Sequence, residues 1–223
     1  WKISQYDLNA LESGKQLAAG GGSLTALSIG SEAALGSSKI QKDILCRGAD
    51  ELKLVMDDGK PFQDSLQTAK AIAEAVGTIG QYDLVLCGMG SSDLYFQEVG
   101  VQVGELLGVP ALNNVTGIKP AGEGVLEVER TLEDEVEVLE VPLPAVLSVS
   151  SEINTPSVPA MRDIMRAGKK PVDKLDCQGG GEPSLRILQQ LAPQQQERRK
   201  ELVEGDGEEA VDALVRFLKK EGF

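Results

Sequence analysis

The sequence predicts an α/β protein: a Rossmann-like, mostly parallel sheet flanked by helices, with an antiparallel hairpin and a C-terminal arm ending in a helix. Three observations predict it. Short apolar runs alternate with helical patterns through the first half of the chain, as right-handed crossovers require. Two later segments, 124–130 (GVLEVER) and 135–141 (EVEVLEV), alternate apolar and polar residues, the mark of paired strands with one wet face. A polar stretch from Cys177 to Gly205 then leads to one amphipathic helix. The expected division is an α/β domain over 1–176 and an arm with its helix over 177–223.

Each element has a local reason. Ser4-Gln5-Tyr6-Asp7 reads as a capping box that opens a helix, with Leu8, Leu11 and Ala18 on one face and Gly14 between them. Gly20-Gly21-Gly22 ends that helix. Ser23–Ile29 reads as a strand turning at Gly30-Ser31, and Glu32–Cys46 as a helix. Because the triple glycine precedes a strand instead of following one, it is not a phosphate loop. Glu51–Met56 is a strand, Asp57-Asp58-Gly59 a turn, and Asp64 the cap of a helix carrying Leu66, Ala69, Ala73 and Val76.

Asp83-Leu84-Val85-Leu86-Cys87 is a continuous apolar run, expected as a central strand covered on both faces. Val109–Leu112 reads as a short strand, and the two alternating segments turn near Leu132–Asp134. Leu143–Val149 returns to a buried strand. Pro156, Ser157 and Pro159 suit the entry to a short helix with a basic end. In that helix Ile164 is expected in the core, and Met161 either in the core or on a partner. Asp206-Gly207-Glu208-Glu209 reads as the capping box of the last helix. Its apolar face is Val211, Leu214, Val215 and Leu218, and Lys219, Lys220 and Gly222 close it. That face must be buried on its own domain or on another chain.

Composition narrows the function. The 223 residues carry a formal net charge of −13, which argues against nucleic acid as a partner. No run of 18 or more apolar residues is present, so no membrane span is expected, and no secretory signal is visible. Cys46, Cys87 and Cys177 form no metal or redox pair and fit a reducing, cytoplasmic setting. The chain has no histidine. That excludes a Ser-His-Asp triad, a Cys-His pair and His-ligated zinc.

The stretch that draws most attention is Tyr82–Leu107. After its strand come Gly88-Met89-Gly90-Ser91-Ser92-Asp93, then a helix with Val99, Val103 and Leu106 at helical spacing. Glycines let backbone approach a ligand closely, and Ser92 or Asp93 can cap the helix. A helix start at the carboxyl end of a parallel strand offers N–H groups to an anion. An ordinary strand-to-helix turn has the same composition, so both readings stand on pattern alone.

Four motifs in fixed order resemble the β subunit of electron-transfer flavoprotein. They are DLVLCGMGSSDLYFQEVG with Gly88, Asp93 and Gly100; Val128-Glu129-Arg130 with the hairpin and Leu143–Val146; the segment Asn154–Pro171; and Arg198-Arg199-Lys200 followed by Val203-Glu204-Gly205-Asp206 and the last helix. The SSDLY wording is most similar to the Fix-type branch. The resemblance implies an electron carrier more than a self-sufficient enzyme. The expected partner is an α subunit that holds FAD, with AMP or a second FAD in this chain. An acyl-CoA dehydrogenase or similar flavoprotein would be the donor. A quinone oxidoreductase or ferredoxin-type protein would be the acceptor.

Carried onto this sequence, the implied cofactor pocket is Ser4, Gln5, Tyr6, Asp7, Ile29, Gly30, Cys87, Gly88, Met89, Gly90, Ser91, Ser92, Asp93, Leu94, Tyr95, Phe96, Gln97, Glu98 and Val99. Backbone N–H groups would hold phosphate. The implied partner contacts are Met161, Arg166 and Lys169. Two departures matter. The family commonly reads D-G-D-T-x-Q where this chain reads Asp93–Glu98, which shifts the expected contacts from side chains to backbone. The family also normally opens with a strand and a loop at the adenine; the sequence at hand begins after them, at Trp1, so a segment outside it or another chain would supply that strand. A second reading, from a different class, is an adenine-nucleotide-binding regulatory module without redox function.

Overall fold

The computed structural model describes residues 2–56, 64–91, 94–177, 183–185, 188–189, 191–192, 194 and 202–222. The expected turn at Asp57–Gly59, the residues Ser92 and Asp93, and the motif Arg198–Lys200 lie outside these described residues. The chain forms two compact units, Trp1–Ile187 and Leu188–Phe223.

The first unit carries two sheets. One is three-stranded and parallel, in the order β1 (Thr25–Gly30), β2 (Glu51–Met56), β8 (Val172–Leu175). The other is five-stranded, in the order β3 (Leu84–Gly88), β7 (Ala145–Val149), β4 (Ala111–Gly122), β5 (Val125–Thr131), β6 (Val136–Pro142). There β7 runs parallel to β3 and β4, whereas β4–β5 and β5–β6 are antiparallel. The α/β class, the parallel pairing and the hairpin are as the sequence predicts.

Helix α1 (Gln5–Ala18) lies across both sheets. Its Leu11 packs on the core of the three-stranded sheet and its Ala10 in that of the five-stranded sheet. At Gly14 a Cβ would stand 2.7 Å from Leu24 Cδ1 and 3.6 Å from Leu86 Cδ1, so the helix packs closely against side chains of both sheets there. Ser4 occupies the N-cap position, but its side chain makes no capping bond. Leu8, Leu11 and Ala18 are only half-buried; the buried residues of α1 are Asn9, Ala10, Glu12, Ser13 and Gly14. A face expected to be oily is therefore largely polar, and its polar groups find partners described below.

Other expectations are corrected. The helix over 32–46 is two, α2 (Glu32–Leu35) and α3 (Ser38–Leu45), because the backbone turns extended at Ser37, with ψ 117°. β3 is not central. Among the described residues it pairs with β7 alone, at the sheet's edge, and is half-buried throughout, while every residue of β7 is buried. The short strand at 109–112 is the start of the long β4, bulged between Val115 and Gly117 and between Pro120 and Gly122. β8, which the sequence does not suggest, pairs through its backbone alongside β2.

Asp64 caps α4 (Ser65–Ile79), accepting from Gln67 N–H at 2.7 Å. Its second oxygen accepts from Ser184 N–H at 2.6 Å, Ser184 Oγ at 2.9 Å and Leu185 N–H at 3.1 Å. Burial pushes this carboxyl up, but the hydrogen bonds from Gln67, Ser184 and Leu185 outweigh it and hold the pKa below its ordinary value. The contribution is therefore complete above the unfolded value of about 3.9 and is lost as pH falls through the depressed folded value. Asp64→Ala is expected to cost about 1–2 kcal/mol at pH 7. In thermal melts the gap between parent and variant should close at acid pH; an unchanged gap would contradict this assignment.

In the second unit, α7 (Glu208–Glu221) begins at an N-cap of Gly207, one residue after the expected Asp206, and ends at Gly222 with φ 94°. None of its residues is buried, and Val211, Leu214, Val215 and Leu218 are exposed.

Candidate functional site

The carboxyl ends of the parallel strands carry most of the residues singled out by sequence. β3 ends at Gly88, and the segment that follows leads to α5 (Val99–Leu107). The N-cap of α5 is Glu98, not Ser92 or Asp93, so the helix starts well past the expected cap. Glu98 is drawn toward α4: Ser65 Oγ donates to its carboxylate at 2.5 Å, and Gln102 Nε2 donates to Ser65 Oγ at 3.4 Å. Two helix starts thus stand side by side at this end of the fold.

The first turn of α1 presses on the end of β3. A Cβ at Gly88 would lie 2.6 Å from Asp7 Oδ1 and 2.9 Å from the Tyr6 carbonyl carbon. Gly88 is therefore required by close backbone approach. Its N–H donates to the Asp7 carboxylate. The next N–H, of Met89, donates to Val149 O at 2.9 Å. Two of the backbone donors expected to face phosphate are thus engaged within the protein.

Asp7 sits where the first turn of α1 meets the end of β3. Its side chain is exposed to solvent by area, yet protein crowds the carboxyl closely enough that desolvation raises its pKa, opposed by the bond from Gly88. Cys87 beside it is half-buried; desolvation of the thiol, and then the Asp7 charge, push its pKa up to about 12. That thiol is protonated and inert at neutral pH. Because Asp7 titrates above its unfolded value of about 3.9, the folded state carries a penalty that grows as pH rises through that window. Asp7→Asn keeps an acceptor for Gly88 and is expected to stabilise the free protein at pH 7. Water still reaches the group, so the gain is small, about 0.5 kcal/mol, or about 1–2 °C. A lower melting temperature in the variant would refute the assignment.

The expected residues do not all converge. Tyr6 and Asp7 meet Gly88, and Tyr6 also meets Tyr95, whereas Gln5 donates to Asn9 instead. Ile29 and Gly30 end β1, in the other sheet, and among the described residues no hydrogen bond joins them to the segment after β3. Ser91 and Leu94–Glu98 flank the site; Leu94 and Phe96 are exposed.

A second region is the short helix α6 (Met161–Ala167). Only Ala167 is buried there; Met161 and Met165 are 73% and 72% exposed. Ile164 is exposed too, against the expectation that it joins the core. Arg166 and Lys169 are exposed beside it, while Lys170 Nζ turns inward to Leu45 O at 3.0 Å and Ala49 O at 2.5 Å. Val158, just ahead of the helix, is also exposed.

Sequence reasoning missed what positions this region. Fully buried Asn9 donates to Asn154 O at 2.7 Å, Asn154 Oδ1 at 3.1 Å and Ser151 O at 3.4 Å. Asn154 Nδ2 returns bonds to Asn9 O at 3.0 Å and Ser13 Oγ at 2.8 Å. Glu12 accepts from Ser157 N–H and Oγ and from Lys15. Burial pushes the Glu12 carboxyl up, but Ser157 and Lys15 together hold it below its ordinary value. The available signal was polar residues at helical spacing, Asn9, Glu12 and Ser13, on the inward side of α1.

Among the described residues, no group of acidic or cysteine side chains is arranged to hold a metal, and no helix is long and apolar enough to cross a membrane. The fold and site define an α/β protein in which the first turn of α1 packs on the carboxyl end of a parallel strand. A family model described as electron transfer flavoprotein domain matches residues 1–178. The chain therefore belongs to the electron transfer flavoprotein family, and its work is electron transfer with a flavin involved.

Proposed function

We propose that the chain is the β subunit of a heterodimeric electron-transfer flavoprotein of the Fix-type branch. It binds AMP or a second FAD and helps pass electrons from a flavoprotein dehydrogenase to a downstream acceptor. The observation that carries this reading is the family match over residues 1–178, which spans both sheets and the turn after β3.

The residues present fit a nucleotide. The accessible Asp7 carboxylate suits the hydroxyls of a ribose, as an acidic residue near a strand end does in dinucleotide sites. The same negative charge turns phosphate away from Gly88. The backbone donors proposed for phosphate are those in the first turn of α5. A bound flavin supplies the redox chemistry; the protein supplies position and electrostatics. Met161, with Arg166 and Lys169 beside it, is the proposed contact to the donor, a methionine being well suited to fill an irregular partner pocket. The exposed stripe of α7 is the proposed contact to the α subunit.

The test is to co-express the chain with its flavoprotein partner, purify the complex, denature it and count the released nucleotides. One FAD with one AMP indicates a conventional carrier, and two FAD indicate a bifurcating one. A colourless complex that releases no adenine nucleotide overturns the proposal.

A further inference from the structure

Two of the three residues Tyr95–Gln97 hold a backbone conformation that L side chains avoid. Tyr95 has φ 53° and Gln97 φ 60°. Such strain persists only where the surroundings hold it, and it concentrates at ligand sites. The Tyr95 ring is held on three sides. It lies on Gly90, where a Cβ would stand 2.6 Å from Cδ2 and 2.9 Å from Cε2. It meets the Tyr6 ring at 5.5 Å between centroids, tilted by 34°. Its phenol is hydrogen-bonded to the side chains of Tyr6 and Gln97. Tyr6 in turn packs closely on Gly88, where an added Cβ would lie 2.9 Å from the Tyr6 Cβ.

Two glycines therefore let two tyrosines close together, yet the pair is not a core. Tyr95 remains 40% exposed, between Leu94 at 64% and Phe96 at 56%. A strained, pinned aromatic pair that keeps a face open beside the Asp7 carboxylate is a preformed surface for another flat ring. We propose that Tyr6 and Tyr95 form the platform on which the planar heteroaromatic ring of the bound nucleotide stacks. This rests on the nucleotide reading above and assigns the ring its place. Asp7 lies within one helical turn of Tyr6 and takes the sugar hydroxyls beside it.

The test is equilibrium dialysis of the full chain against AMP and against FAD. Ring stacking of this kind predicts that Tyr95→Ala weakens binding by about tenfold or more, whereas Tyr95→Phe, which keeps the ring, stays within about threefold. Gly90→Ala pushes the ring off its seat and should behave like Tyr95→Ala. The double variant should be no worse than Tyr95→Ala alone, since both remove one interaction. Equal loss for AMP and FAD assigns the ring as adenine; loss for FAD alone assigns it as isoalloxazine. Tyr95→Ala within twofold of a parent that binds, or additive losses in the double variant, overturns the platform. A parent that binds neither AMP nor FAD overturns the nucleotide reading itself, and the platform with it.

Discussion

Gly100→Ala is expected to lower the melting temperature by about 5–10 °C, from an overpacking cost of about 2–3 kcal/mol. A Cβ at Gly100 would stand 1.9 Å from Ser148 Oγ, 3.3 Å from Ser148 Cβ and 3.6 Å from Cys87 Cβ. Ser148 cannot yield easily, because it is buried in β7, which is hydrogen-bonded to β3 on one side and β4 on the other. The helix would have to lift instead. That would strip contacts from Val103 and Val146, both fully buried in the same cluster. Adding Ser148→Ala should restore most of the loss, since the offending oxygen is gone and the remaining contact is only tight. Scanning calorimetry on the single and double variants checks this. A Gly100→Ala protein melting within 2 °C of the parent, or no recovery in the double variant, would show that α5 accommodates the methyl freely.

The second large effect is at Asn9. Replacement by leucine, of similar volume, strips three donated bonds and leaves the carbonyls of Ser151 and Asn154 without the amide they face. Leaving buried acceptors unmet costs about 1–3 kcal/mol each when no water replaces the donor. The expected total is about 3 kcal/mol, read as a lower urea midpoint at unchanged slope. Asn154→Ala should cost a similar amount, and the double variant far less than the two together, because both break one network. Hydrogen exchange should quicken over residues 151–157. That segment leads directly into Met161, so the proposed contact with the donor should weaken while nucleotide content is retained. Loss of both together would place Asn9 in general stability alone.

Much of the fold was legible because its patterns are local. The alternation over 125–141 declared the hairpin, since each strand has one wet and one dry face. Asp64 and Gly222 marked helix ends through their own chemistry. The misses share a physical cause. A five-residue apolar run looks the same at an edge as at a centre, so β3 was misplaced. Asn114, at φ 54°, together with Gly117 and Pro120, reads as loop-forming, yet bulges absorb them within β4. β8 (VDKL) has no apolar pattern at all, and only its backbone pairing with β2 makes it a strand.

The site divides in the same way. Gly88 and Gly90 stood out in the sequence, because close approach leaves a compositional trace. The bond from Gly88 to Asp7 and the pairing of Tyr6 with Tyr95 did not, because each joins residues some eighty to ninety positions apart through the docking of α1. The buried polar links of Asn9, Glu12 and Ser13 were hidden by the assumption that an inward helix face is apolar.

The unpaired edge of β3 has a consequence for the protein in the test tube. The hairpin's outer strand, β6, carries the exposed Glu140, a charge that repels a second copy approaching edge to edge, while Glu137 is paired with Arg130. Among the described residues β3 has no such guard: Leu84, Val85, Leu86 and Cys87 are uncharged and half-buried, and no described strand pairs with their outer edge. Concentrated preparations of the chain should therefore clump or swap strands from this edge first. Whatever covers it sets the shelf life of the purified protein.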